Sequence, residues 1–123
     1  MIKRKLSILI VDDNINFVTR LVSLLHDTEN ISSINMAHSY EEAAALLTGE
    51  PDLVLLDINL PGKNGMSLLK KIKESENNCE VIMMTNYTGE YYRRQCKKMG
   101  ALFFLDKTND FEQVPDIIKT LRN

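Results

Sequence analysis

Tryptophan is absent from this sequence and cysteine is nearly so, with Cys79 and Cys96 the only examples. Two cysteines so placed make neither a disulfide framework nor a thiolate metal site. They read as reduced thiols of a cytoplasmic protein. Three prolines and five glycines are scattered along the chain, and no Pro/Gly/Ser-rich linker, low-complexity tract or internal repeat can be found. Long apolar runs are missing too, so no segment approaches membrane-spanning length. The N-terminal stretch MIKRKLSILIVDDN pairs basic residues with an apolar run, but that run is only Leu6 to Val11 and two aspartates follow it. A signal peptide would need a longer apolar region and a small-residue cleavage site. Lys3 to Lys5 read as a solvated lead into the first strand. Neither sign of charge dominates: 15 basic residues stand against 17 acidic ones, a net charge of -2. That balance gives no reason to expect nucleic acid or an anionic membrane as a partner.

What remains is an ordinary globular composition. Apolar residues make up 44% of 123 residues, enough for one core and one domain spanning 1–123. Five apolar runs punctuate the chain: Leu6–Val11, Ile31–Ala37, Leu53–Leu56, Val81–Met84 and Leu102–Leu105. Near-continuous apolar strands, as opposed to alternating ones, point to a parallel sheet covered on both faces. The segments between them have helical spacing. Phe17, Leu21, Leu24 and Leu25 share a face, with Asn14 as N-cap. Ser39 and Glu42 form a capping-box pattern, Ala43, Leu46 and Leu47 supply the stripe, and Gly49 suits the position after that helix. Met66, Leu69 and Ile72 mark a third helix; Tyr92, Cys96 and Met99, closed by Gly100, a fourth. Phe111, Val114, Ile117, Ile118 and Leu121 mark a fifth, with Pro115 tolerated only in its first turn. Strand and helix thus alternate five times, and right-handed crossovers give an α/β doubly wound parallel sheet.

In such sheets ligands bind beyond the carboxyl ends of the strands. There the first strand offers Asp12 and Asp13, the third Asp57, the fourth Thr85 and the fifth Asp106 and Lys107. Taken singly, each is explained as a turn residue, a cap or a solvated charge. Taken together they converge on one edge, where clustered carboxylates repel and call for a cation. Oxygen ligands suit a hard divalent ion, and Mg²⁺ is held by one or two carboxylates plus waters and phosphate oxygens. No His or Cys belongs to this set, which argues against zinc. A carboxylate beside Mg²⁺ and a lysine can act as a nucleophile toward phosphorus.

Four motifs carry a family resemblance: ILIVDDN (Ile8 to Asn14), LVLLDINLPGKNGM (Leu53 to Met66), VIMMTN (Val81 to Asn86) and GALFFLDK (Gly100 to Lys107). In this order and spacing they resemble the receiver domain of two-component response regulators, over essentially the whole chain. The resemblance implies a flavodoxin-like sheet of order 2-1-3-4-5 with five helices. It implies Asp57 as phosphoacceptor, charged by a phosphohistidine on a sensor histidine kinase or histidine phosphotransfer protein. It implies Asp12 and Asp13 as the acidic pair for Mg²⁺ (or Mn²⁺), with Asn59 lending its backbone carbonyl. Thr85 is similar to the switch hydroxyl, Lys107 to the phosphate-pairing lysine, and Phe104 to the aromatic whose ring turns inward. Pro61 and Gly65 match the loop shaping the acidic pocket. Such a protein is a signalling switch with self-catalysed phosphotransfer and autodephosphorylation, not a turnover enzyme. It acts either alone or as the regulatory part of a longer regulator, and its output face is formed by helix four, strand five and helix five.

The sequence departs from the family pattern in three places. Asn86 stands where a small residue usually follows the switch Thr, and with Tyr87 and Asn59 it is a candidate for tuning phosphate exchange. Thr108 stands where proline is common, so the Lys107–Thr108 peptide is either trans with a rearranged loop or strained. Asp106 either projects beside Phe104 toward the output face or caps the next segment. Arg93, Arg94, Lys97 and Lys98 give helix four a basic face, read as solvated or as a patch for an acidic partner, with Tyr91 exposed beside it. His26 and His38 are assigned no chemistry. A phosphatase of the haloacid-dehalogenase type would want an Asp at Asn59, and a phosphorylation-deficient module would not need the set Asp12, Asp13, Asp57, Thr85 and Lys107.

Overall fold

The computed structural model describes residues 5–75 and 77–121. Of the basic lead, Lys5 is exposed and the rest lies outside the described residues. Five parallel strands form one sheet: β1 (Leu6–Val11), β2 (Ile31–Ala37), β3 (Leu53–Leu56), β4 (Glu80–Thr85) and β5 (Phe103–Asp106). Their order is β2-β1-β3-β4-β5. Five helices connect them: α1 (Ile15–Leu25), α2 (Tyr40–Leu46), α3 (Gly65–Glu74), α4 (Glu90–Lys98) and α5 (Val114–Thr120).

The central strands β1, β3 and β4 are nearly continuous in apolar residues because successive side chains enter different cores, while the edge strand β2 (ISSINMA) is largely exposed. Leu9, Val11, Val54, Leu56, Val81 and Met83 pack with Ala43 of α2, Leu68, Leu69 and Ile72 of α3 and Cys96 of α4. Ile8, Ile10, Leu53, Leu55, Ile82, Met84 and Leu105 pack with Phe17, Val18, Leu21 and Leu25 of α1 and Val114 and Ile118 of α5. Burying one such side chain stabilises by about 1.5–3 kcal/mol, so both faces of the central strands are committed to packing and only their ends are free for chemistry.

The strand boundaries differ from expectation where it matters for the site. β4 takes in Thr85, and β5 begins one residue late and takes in Asp106. The second helix gives out before Gly49: α2 runs on into a 3-10 turn over Leu47–Gly49, and the left-handed residue is Glu50, at φ 52°. The extra turn moves the chain reversal one residue along. Leu46 is 40% exposed, so the apolar stripe of α2 rests on Ala43 and Leu47. Gly100, at φ 102°, does close α4, where a left-handed residue favours glycine. Asn14 caps α1 by accepting from the Phe17 N–H at 3.0 Å, and Pro115 sits in the first turn of α5.

Candidate functional site

Strand register brings the polar residues together. Val11 pairs with Leu56 and Leu56 with Met83, while Thr85 pairs with Asp106. Asp12, Asp57, Thr85 and Lys107 therefore emerge along one edge of the sheet. All four are buried, Thr85 completely. Asp13 and Asn59 are exposed at the rim.

Lys107 is the hub. Its Nζ lies 2.6 Å from Asp12 Oδ2 and 2.8 Å from Asp57 Oδ2, and 4.6 Å from the centre of the Phe17 ring. The lysine reaches there because its own N–H donates to the Thr85 carbonyl at 3.1 Å, continuing the ladder past the end of β5. Burial opposes the charge on Lys107, but hydrogen bonds and attraction from Asp12 and Asp57 outweigh it and raise its pKa above the ordinary 10.5. At Asp12 the balance runs the other way. Burial pushes its pKa up from the ordinary 3.8, and the opposing pull of Lys107 and the Asn14 N–H does not fully offset it. Two buried carboxylates thus share one ammonium.

Two observations show that this set suits a hard cation. Asp12, Asp13 and Asp57 each offer a carboxylate oxygen, all within 4.8 Å of one another. Asp57 Oδ1 is buried and has no hydrogen-bond partner among the described residues, which is costly unless something else occupies it. All the donors are oxygen, as Mg²⁺ or Mn²⁺ prefers.

The flanking loops hold the edge in place. Gly65 opens α3 so close to β3 that a Cβ there would lie 1.9 Å from the Asp57 carbonyl oxygen; only glycine fits. Gly62, at φ 86°, turns the same loop. The Thr85 hydroxyl accepts from the Tyr87 N–H at 3.0 Å. Phe104 is half-buried, with the Arg93 guanidinium 4.9 Å over its ring and donating to its carbonyl at 3.3 Å. The Tyr87 ring packs against Tyr92 of α4 at 5.7 Å. Asn86 lines a cleft with Asn14, Asn16, Phe17, Arg20, Lys107 and Thr108.

No cis peptide bond occurs among the described residues, so Lys107–Thr108 is trans. Asp106 is a turn cap: its carboxylate accepts from the N–H groups of Thr108 and Asn109 at 2.8 and 3.3 Å. Sequence reasoning passed over Phe17, whose ring the ammonium faces, and His38. The latter follows β2 directly and therefore belongs to the same edge, the one signal that could have drawn attention to it. Its Nδ1 lies 3.0 Å from the Asp12 carbonyl oxygen.

The family described as response regulator receiver domain matches residues 8–119. The chain belongs to that family. Sporulation initiation phosphotransferase F of Bacillus subtilis (strain 168) is 32% identical over 112 residues, covering 91% of this chain and 90% of that protein. The transcriptional regulatory protein CpxR of Klebsiella pneumoniae is 39% identical over 118 residues, covering 94% of this chain but 49% of that protein. The chain spans about half the length of several curated relatives, 47% and 55% in two further cases. Among solved structures, a chain of the CheX–CheY–BeF3–Mg²⁺ complex from Borrelia burgdorferi superimposes with a TM-score of 0.84 at 29% identity, covering 95% of this chain and 89% of that one. Receiver domains of two-component response regulators are phosphoacceptor regulators, not conventional enzymes; they take phosphate from histidine kinases or phosphotransfer proteins and bind Mg²⁺ or Mn²⁺ at an acidic pocket. No helix among the described residues of this receiver domain is long and apolar enough to cross a membrane.

Proposed function

We propose that this receiver domain, over residues 1–123, is a phosphoryl-accepting switch in which Asp57 is the acceptor. The buried Asp57 Oδ1, without a hydrogen-bond partner among the described residues, carries this reading: it is a carboxylate oxygen at the open edge of the sheet. In the step proposed, a carboxylate oxygen of Asp57 attacks phosphorus, the N–P bond of a phosphohistidine breaks and its electron pair stays with the leaving imidazole. Asp12, Asp13, Asp57 and the Asn59 carbonyl would hold Mg²⁺ or Mn²⁺, which when bound neutralises charge on the phosphoryl oxygens. Lys107, already beside Asp57 at 2.8 Å, supplies a charge-assisted hydrogen bond to the same group.

The donor is a sensor histidine kinase or histidine phosphotransfer protein, and a cytoplasmic location goes with it; the output partner or attached domain is of unassigned kind, with no nucleic acid or membrane bound directly. Phosphorylation adds about -1.5 to -2 charge. The Thr85 hydroxyl proton has no acceptor among the described residues, and turning toward the phosphoryl group gives it one at the expense of the Tyr87 contact. Phe104 then moves into the space vacated, and the α4, β5 and α5 surface reports the change. Water attack on the acyl phosphate returns Asp57 to its starting state. Asn59, Asn86 and Tyr87 flank this chemistry and set its rate.

Incubation with acetyl phosphate and Mg²⁺ tests the assignment. Intact-mass spectrometry is expected to show one added phosphoryl group on the wild type and none on Asp57→Asn or without Mg²⁺. Phosphate on Asp57→Asn would refute it.

A further inference from the structure

We propose that His38 is a positioning residue for the cation site: it orients the Asp12–Asp13 peptide and, through it, the Asp13 carboxylate. The inference rests on the reading of Asp12, Asp13 and Asp57 as cation ligands and adds to it a residue that none of the four family motifs contains.

Asp13 has no side-chain hydrogen bond or ion pair among the described residues, and it is exposed. Nothing but its backbone therefore directs its carboxylate toward Asp12 and Asp57. That backbone is held at several points. The Asp12 N–H donates to the Ala37 carbonyl at 3.0 Å, and the Asn14 N–H donates to Asp12 Oδ1 at 2.8 Å. Among the described residues, the peptide plane between Asp12 and Asp13 is held by a single contact, His38 Nδ1 to the Asp12 carbonyl at 3.0 Å. A carbonyl only accepts, so Nδ1 carries the hydrogen.

The ring can hold a peptide because its own base is held. The His38 N–H donates to Glu42 Oε2 at 2.6 Å, and the Glu42 N–H donates to Ser39 Oγ at 3.2 Å. This is a capping box whose return bond reaches one residue further back than usual, to His38 in place of Ser39. The cap of α2 thus serves as the mount for an imidazole arm that extends to β1. Water could satisfy the Asp12 carbonyl equally well as an acceptor, but a mobile water does not fix a peptide plane. Loss of the ring therefore costs orientation at Asp13 more than it costs stability.

Titration of the full chain with Mg²⁺ alone, followed by amide NMR shifts because the chain has no tryptophan to report binding, tests the proposal. His38→Ala is expected to weaken Mg²⁺ binding ~3- to 10-fold, the loss of about one hydrogen bond and up to the bottom of the ~10- to 100-fold range for outer residues of metal sites, with the thermal midpoint nearly unchanged. His38→Asn, whose Nδ2 falls where Nδ1 was, is expected to restore binding close to the wild-type value. Wild-type affinity in His38→Ala, or equal loss in Ala and Asn variants with a lowered thermal midpoint, would overturn the positioning role. Asp13→Asn is the control for the underlying reading: if it too binds Mg²⁺ as the wild type does, the ligand assignment itself fails.

Discussion

Replacing Lys107 by methionine isolates the electrostatic problem at the centre of this fold. The ammonium lies 2.6 Å from Asp12 and 2.8 Å from Asp57, and all three side chains are under a tenth exposed. Lys107→Met keeps most of the apolar stem and removes the charge, leaving two buried carboxylates with oxygens within 4.8 Å. At an effective dielectric of about 20 that repulsion alone is ~3.5 kcal/mol. Losing one member of a buried pair costs about 3–5 kcal/mol for the same reason, a large part of the ~5–15 kcal/mol that holds a domain folded. The sign of the pH dependence follows from Asp12. Its pKa is already raised from 3.8 by burial, and the variant removes the Lys107 contacts that oppose the rise. The folded variant then holds more protons than the unfolded chain between 3.8 and the raised value, so its stability falls as pH climbs through that window. Urea denaturation without metal, from about pH 4 to pH 8, measures this: the gap to wild type should be largest at neutral pH and shrink toward acid. Adding Asp57→Asn to Lys107→Met should recover much of the loss, a coupling that a double-mutant cycle reads directly. A gap below about 1 kcal/mol that does not vary with pH would refute the reasoning, since it would mean the buried carboxylates do not depend on the ammonium.

Three further outcomes follow from contacts around the site. Gly65→Ala should lower the thermal midpoint by about 10 °C, from ~3 kcal/mol of overpacking between α3 and the Asp57 carbonyl 1.9 Å from the new Cβ; a differential scanning measurement within two or so degrees of wild type would contradict it. Asn86→Ala should speed both phosphorylation by a small donor and dephosphorylation several-fold, because Asn86 lines the cleft that opens onto Lys107; unchanged rates would remove it as a gate. Arg93→Ala should free the Phe104 ring from a cation–π contact of ~0.5–1 kcal/mol and shift the two-state ring equilibrium about 2- to 5-fold toward the inward position; aromatic NMR of Phe104 reads this, and an unaltered ring environment would dismiss the contact as incidental.

Two of the basic residues on α4 are engaged within the fold. Arg93 is committed to Phe104, and Arg94 meets Glu90 one turn back at 3.5 Å in an exposed pair, which contributes little to stability. Tyr91 is 67% exposed and stacks edge-on against Tyr92, so the aromatic residues of α4 form a continuous contact from Tyr87 outward. The Tyr87, Tyr92 and Tyr91 rings therefore run from the loop after Thr85 to the exposed face of α4.

Much of the fold was legible in the sequence by itself. Apolar runs with no alternation require a sheet buried on both faces, and the helical stripes between them leave parallel crossovers as the connection; β1, β2 and β3 fall where the runs do. That Asp12, Asp57, Thr85 and Lys107 share one edge was legible for the same reason, since a parallel sheet gathers its strand ends on one side. Orientation at that edge was not. That Asp12 is more strongly affected by burial than by its lysine and that His38 reaches β1 from the cap of α2 depend on distances between segments remote in the chain, while Asp106 capping its own loop and Glu50, not Gly49, taking the left-handed turn are local choices among conformations that periodicity leaves open. Periodicity reports which face a residue lies on; only packing determines what stands opposite it, and hydrogen bonds and charges act over that last few ångströms.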